Sequence, residues 1–224
     1  MKRILNMAKK KKIEKSTIFE SYIEQTLLEE KMPKSVFLFC KHAKIQESEF
    51  YLHFGSLDSV RSAIFEAFYK NATQVLTKNE NFEKQSPKEK LLDFYFTFFE
   101  VLQLNRSYVL FILDEKKVTK KWSDLKGLRS HFKEFVITLI IEGNAEKQGR
   151  FSQRSEKIFS EAAWGQLLFL LKFWMSDNSV GFEKTDVAIE KSVQTVFSLF
   201  DNNALDTLFD FGKFLWKEKS HIVS

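Results

Sequence analysis

Only two prolines and seven glycines punctuate the 224 residues of this chain. That scarcity is the strongest single constraint on its fold. Glycine and proline end helices and supply the tight turns on which short strands depend. With so few of them, long helices are the simplest way to satisfy the backbone. Runs of β-branched residues with period-two alternation are hard to find, whereas apolar residues recur every three or four positions along most of the chain. The sequence therefore predicts an all-α protein. Apolar residues make up 44% and charged residues 29%, the balance of a globular chain rather than a disordered one.

The net charge of +5 is unevenly placed. Lys2, Arg3, Lys9, Lys10, Lys11, Lys12 and Lys15 stand against Glu14 alone, so residues 1–15 carry +6 and the rest of the chain −1. Such an arm is either the footprint of a polyanionic partner, whose neutralised phosphates release counterions, or a solvated tail. The lone cysteine, Cys40, leaves no internal disulfide and fits a reducing compartment. The N-terminus is basic but lacks the apolar stretch of a secretory signal. The longest uncharged apolar run, near residues 162–171, is shorter than the roughly 20 residues that span a bilayer. These features predict a cytoplasmic protein with no membrane segment.

Helix signals order the chain. Thr17-x-x-Glu20 has the form of a capping box and opens a first helix to about Lys31, ended by Pro33. A short helix from Lys34 or Ser35 to Ala43 turns Val36, Phe39 and Cys40 inward. Lys44-Ile45 connects it to a second short helix, Gln46 to Phe54, with Gly55 as a left-handed cap. Two short helices across so tight a turn form a helix-turn-helix. Ser56 starts a long helix to about Val75, and the polar stretch 78–86 marks the domain boundary. Ser86-Pro87-Lys88-Glu89 combines a capping box with proline at the first helical position. Further helices are expected at about 87–104, 106–114, 122–147, 155–176, 184–201 and 203–218, about nine to ten in all. Three parts follow: a basic arm at 1–15, a helix-turn-helix domain with its connecting helix at 16–78, and a helical bundle at 79–224.

The order of a helix, a short helix, a turn, a short helix ending in aromatic-x-His-Phe, and a long helix resembles the N-terminal domain of the TetR family of transcriptional regulators. The hallmark of that family runs Gly-Val-Ser-x-Gly-Thr-Leu-Tyr-x-His-Phe, and residues 44–54 here read KIQESEFYLHF. Tyr51, His53 and Phe54 match outright, and Ile45 and Phe50 match in kind. WGQLLFLLKFW, GFEKTDVAIEKSV and LFDFGKFLW are similar to segments of the branch with an all-helical C-terminal domain. The resemblance implies a homodimer that binds double-stranded DNA at a palindromic operator and answers to an apolar small-molecule effector, most simply as a repressor.

Carried over, it implies that Tyr51 and His53 donate to phosphates and Leu52 faces base edges. Gln46, Glu47, Ser48 and Glu49 would form the groove-facing first turn, Lys34, Ser35, Lys41 and Lys44 would flank the backbone, and Lys10, Lys11 and Lys12 would reach from the arm. The sequence departs from the hallmark at Ser48, at Glu49 and in the loop Gly55-Ser56-Leu57-Asp58, which lacks basic residues. A groove glutamate can accept from a cytosine amino group. Equally, Glu47 and Glu49 can stabilise the positive end of their own helix.

Eighteen of the 25 phenylalanines fall in residues 82–224. Phe94, Phe98, Phe111, Phe159, Trp164, Phe169 and Phe173 are read as an effector pocket or, more plainly, as bundle core. Gly165, in mid-helix, leaves room for a close contact or a ligand. Ile189, Val193, Val196, Phe197 and Phe200 form one apolar stripe, and Leu205, Leu208, Phe209, Gly212 and Trp216 another. Two such helices suit a four-helix dimer interface or, failing that, the closing of the monomer core. The four histidines (His42, His53, His131, His221) form no i,i+4 pair, and no phosphate loop or nucleophile elbow occurs. No metal, cofactor or enzyme activity is expected. The rival reading is a helical interaction or lipid-binding protein whose helix-turn-helix no longer binds a specific operator.

Overall fold

The computed structural model describes residues 13–113, 121–145 and 155–201. Among them lie ten α-helices: α1 (Lys15–Leu28), α2 (Val36–Ala43), α3 (Glu47–Tyr51), α4 (Leu57–Leu76), α5 (Pro87–Gln103), α6 (Arg106–Leu113), α7 (Lys121–Asp124), α8 (Lys126–Ala145), α9 (Glu156–Ser176) and α10 (Glu183–Asp201). No strand occurs among the described residues. No helix there is long and apolar enough to cross a membrane. The helix expected at 203–218 lies outside the described residues.

Local chemistry accounts for most boundaries. At α5 the Ser86 backbone N–H donates to Glu89 Oε2 at 2.8 Å, the Glu89 N–H to Ser86 Oγ at 3.4 Å, and Pro87 takes the first helical position. At α4 the Ser56 and Ser59 hydroxyls each accept from the other's backbone N–H at 3.2 Å. Two expected caps are corrected. The first helix begins at Lys15 after Glu14, so Thr17 lies within its first turn and caps nothing. Gly55 keeps an ordinary backbone, and the left-handed residue of this region is Lys44 at φ 56°.

The described residues fall into two units. One holds residues up to Phe68 together with Leu102–Leu128, the other Tyr69–Val101 together with residues from Arg129 on. The division differs from the expected boundary at 78/79, because α6 and α7 belong with the helix-turn-helix. Two contacts explain it. Tyr108 of α6 meets Tyr22 of α1 edge to face at 6.5 Å. Arg61 of α4, only 4% exposed, donates Nε to Asp124 Oδ2 at 3.0 Å, NH2 to Asp58 Oδ1 at 2.8 Å and NH1 to the Tyr22 hydroxyl at 3.5 Å. Burial alone disfavours the guanidinium charge, but the bonds to Tyr22 and Asp124 outweigh it and raise its pKa. The expected helix over 122–147 is split at Leu125, next to the Asp124 that Arg61 holds.

In the second unit the core is aromatic. Phe94 stacks on Phe98 at 5.5 Å and meets Phe132 at 5.3 Å, and all three are fully buried. The α9–α10 connection is organised by Asp177. Its carboxylate accepts from Ser179 N at 2.8 Å, Ser179 Oγ at 2.7 Å, Thr185 N at 2.9 Å and Thr185 Oγ1 at 2.7 Å. It thus caps the first turn of α10 and lets the chain turn through left-handed Gly181 and Phe182, both at φ 63°.

Two outcomes follow from these clusters. Arg61→Met leaves Asp124 buried without its counter-charge and should destabilise the protein by about 3–5 kcal/mol in urea denaturation, with Arg61→Met/Asp124→Leu recovering most of the loss. The Asp177 carboxyl is held below its ordinary pKa, chiefly by the Ser179 hydroxyl. Its contribution is therefore complete above the unfolded carboxylate pKa of about 4 and fades as pH falls below it. Thermal midpoints of wild type and Asp177→Asn should differ at neutral pH and converge in acid.

Candidate nucleic-acid interface and ligand cavity

The reading head is two short helices that could not stand alone. α3 spans five residues and is held by Phe50, fully buried against Phe39 at 5.8 Å and Phe54 at 6.1 Å. Burying a phenylalanine contributes about 1.5–3 kcal/mol, enough to offset the ordering of so short a helix. Ser35 caps α2 by accepting from Leu38 N at 3.3 Å. Glu49 Oε2 accepts from Gln46 N at 3.0 Å. That bond gives Glu49 the helix-capping role of the two readings open to it.

The expected DNA contacts separate into groups. Lys34, Ser35, Lys44, Gln46, Glu47 and Ser48 are exposed, while Glu49 is half-buried. Tyr51 and Leu52 are exposed as well, at 53% and 73%. Lys10, Lys11 and Lys12 lie outside the described residues. His53 is half-buried. Its Nε2 lies 2.7 Å from the Ile13 carbonyl oxygen, so that nitrogen donates within the protein. Only the tertiary fold brings the two together, since they are 40 residues apart.

Two features went unpredicted. Phe37 and Leu38 of α2 are 58% and 46% exposed. The signal was available, since both fall off the Val36, Phe39, Cys40 stripe. Beside them lies a groove of about 480 Å³ lined by Gln25, Glu29, Lys31, Pro33, Lys34, Leu38, Lys41 and His42. Its cations are partly answered from within: Glu29 accepts from Gln25 Nε2 at 2.9 Å and pairs with Lys31 Nζ at 3.3 Å.

The seven residues read as an effector pocket do not line one cavity. Phe94 and Phe98 stack in the core, Trp164 is buried 6.4 Å from Phe132, and Phe111 belongs to the other unit. Phe169 is 59% exposed, with Phe173 half-buried 6.4 Å from it. Phe159 does line an apolar cavity, together with Pro87, Leu91, Val136, Leu139, Ile140, Ala163, Val196 and Phe197. Its volume is about 30 Å³, room for a water rather than for a ligand of several hundred Å³. Beside it runs a buried polar chain: the Tyr95 hydroxyl donates to Gln166 Oε1 at 3.2 Å, and Gln166 Nε2 donates to Ser192 Oγ at 2.9 Å. Gln166 was legible only as a polar residue inside an apolar run.

The expected dimer stripe on α10 is corrected as well. Ile189 and Val193 are fully buried within the single chain, so they are core against α9, and Val196 and Phe197 line the cavity. The Phe200 side chain and Leu205, Leu208, Phe209, Gly212 and Trp216 lie outside the described residues. The exposed apolar face is on α9: Ile158, Ala162, Gly165 and Phe169 follow helical spacing on its outer side.

The family model described as tetracyclin repressor-like, C-terminal domain, matches residues 90–215. The fatty acid degradation regulator FadR from Bacillus halodurans shares the fold at TM-score 0.54 and 18% identity, over 86% of this chain and 97% of that one. The TetR family transcriptional regulator PfmR from Thermus thermophilus aligns at TM-score 0.48 and 17% identity, over 83% and 97%. No curated protein matches the chain.

The left-handed turn at Lys44 yields a prediction of its own. A side chain costs about 1 kcal/mol in that conformation, so Lys44→Gly should raise the urea midpoint, and a lower midpoint would place the lysine in a stabilising contact.

Proposed function

Because this chain belongs to the TetR family of transcriptional regulators, we propose that it binds a palindromic operator in the cytoplasm as a homodimer and represses transcription until an apolar small molecule enters its helical bundle. The observation that carries the reading is the outward end of α3. Tyr51 and Leu52 are exposed apolar side chains at the end of a helix whose Phe50 is anchored in the core. Exposed Lys34, Ser35, Lys44, Gln46 and Ser48 of the same helix-turn-helix offer donors for phosphates and base edges. The proposed effector site is the cavity at Phe159 and Phe197, with Tyr95, Gln166 and Ser192 as polar groups that orient a ligand. Filling so small a space requires α5, α8, α9 and α10 to part. Residues of α4 belong to both units, so this helix is the proposed route to the reading head.

The dimer is placed on the outer face of α9. Ile158 and Phe169 are 37% and 59% exposed, and a side chain at Gly165 would meet nothing within 4 Å. A glycine in mid-helix costs roughly 1 kcal/mol against alanine. Close approach of a second copy gives it a purpose that the single chain does not.

One observation favours a second reading. Phe37 and Leu38 present apolar surface from α2, which suits a helical interaction protein that no longer binds an operator.

Selection from random duplexes separates the two. The regulator should enrich a palindrome and bind it at least about a thousandfold more tightly than mixed DNA at physiological salt. Tyr51→Ala/Leu52→Ala should abolish that preference with an unchanged melting midpoint, and equal weak affinity for all duplexes sinks the regulator reading. Light scattering tests the dimer. Wild type should run as a dimer and Phe169→Glu as a folded monomer, whereas a wild-type monomer refutes the α9 interface.

A further inference from the structure

The outer side of α2 joins two chemistries, of which DNA binding uses only one. Phe37, Leu38, Lys41 and His42 share one exposed face of that helix, while Phe39 and Cys40 hold its other side in the core. Phe37 and Leu38 are 58% and 46% exposed. Leu38 also lines the groove of about 480 Å³, where Lys31, Lys34 and Lys41 stand against one carboxylate, Glu29. Glu29 pairs with Lys31 at 3.3 Å, and no carboxylate among the described residues pairs with Lys34 or Lys41. Gln25 lines the same groove at 3% exposure. Its Nε2 donates to Glu29, and its Oε1 is buried with no hydrogen-bond partner among the described residues.

A duplex accounts for the lysines but not for the rest. Protein–DNA interfaces are more polar than protein–protein ones, and phosphates laid over a phenylalanine and a leucine gain nothing from them. A second copy of this chain, docked by the same face, would set like charges against each other across a two-fold axis. A lipid surface suits apolar side chains on a convex helix face, whereas Leu38 lines a concavity. A protein segment with apolar residues flanked by carboxylates meets each demand. Its apolar residues cover Phe37 and Leu38, and its carboxylates meet Lys34 and Lys41. A donor reaching Gln25 Oε1 satisfies an acceptor that is costly to leave open. At 1.5 Å per residue α2 is about 12 Å long, a span that two or three turns of a partner helix match.

We propose that this face of α2 and its groove dock an acidic amphipathic helix of another protein, and that docking and DNA binding exclude one another because both use Lys34 and Lys41. The exclusion rests on the DNA-binding reading above, whereas the docking face stands without it.

Phage display of random peptides of about twelve residues against the full-length chain supplies the probe. Enriched peptides should carry Asp and Glu around large apolar residues. The tightest is synthesised with a fluorescent label and titrated by anisotropy. Phe37→Ser/Leu38→Ser should weaken it roughly tenfold or more, with an unchanged melting midpoint and unchanged affinity for a mixed-sequence duplex. Lys41→Glu should weaken peptide and duplex alike. Saturating peptide should raise the apparent Kd for the duplex several-fold in wild type and leave it unaltered in Phe37→Ser/Leu38→Ser. Should that double variant melt early, Leu38→Gln alone replaces it.

Enriched peptides without acidic residues overturn the proposal, as do acidic ones indifferent to Phe37→Ser/Leu38→Ser, which are held by charge alone. An equal loss of duplex affinity in that variant makes the face a DNA contact. Co-sedimentation with phosphatidylglycerol vesicles that the variant abolishes makes it a lipid surface, and either result overturns the protein partner. A wild type that leaves the duplex unbound overturns the DNA-binding reading and the exclusion with it. That case is told apart from failure of the docking face, in which the duplex is bound and the peptides do not depend on α2.

Discussion

The buried guanidinium of Arg61 is the interaction on which the first unit depends. One side chain reaches Asp124 at the end of α7, Asp58 at the start of α4 and the Tyr22 hydroxyl in the middle of α1. A charge in so dry a place survives only with partners on every side. It therefore constrains three segments at once, including the helix that directly follows the reading segment. The same constraint explains why the unit draws in α6 and α7 from far along the chain rather than ending at the polar stretch after α4.

Within that unit the reading head has divided its charges. Glu49 turns back to cap Gln46, and His53 turns back to hold Ile13. Both residues stood as candidates for the DNA surface, and both make a hydrogen bond within the chain. The outward residues are then Tyr51, Leu52 and a thin set of lysines and polar groups. Residues 1–15 carry +6 and the rest of the chain −1. On the proposed reading, affinity for a polyanion and readout of its sequence fall to different segments, because phosphate attraction is insensitive to sequence whereas base contacts are not.

In the second unit the phenylalanines are mostly mortar. Phe94, Phe98 and Phe132 fill the core with ring contacts, and the cavity that Phe159 lines holds about 30 Å³. Periodicity identified Phe94 and Phe98 as inward-facing but could not say whether they enclose a ligand or each other. Burial likewise divided the apolar stripes of α9 and α10. Ile189 and Val193 were legible as apolar and are used up within the chain, while Phe169, in the more apolar α9, faces out.

By itself the sequence determined what local chemistry controls. The helical class, the start of α5 at Ser86-Pro87-Lys88-Glu89 and the two short helices around Lys44 all follow from propensity, capping and spacing within a few residues. Tertiary structure alone decided the partners of Arg61, the turn of His53 toward Ile13, the splitting of the helix at Leu125 and the outward face of α9. Those outcomes join residues dozens of positions apart. Which of two apolar faces is covered, and which donor a buried charge meets, depends on neighbours that no local pattern names.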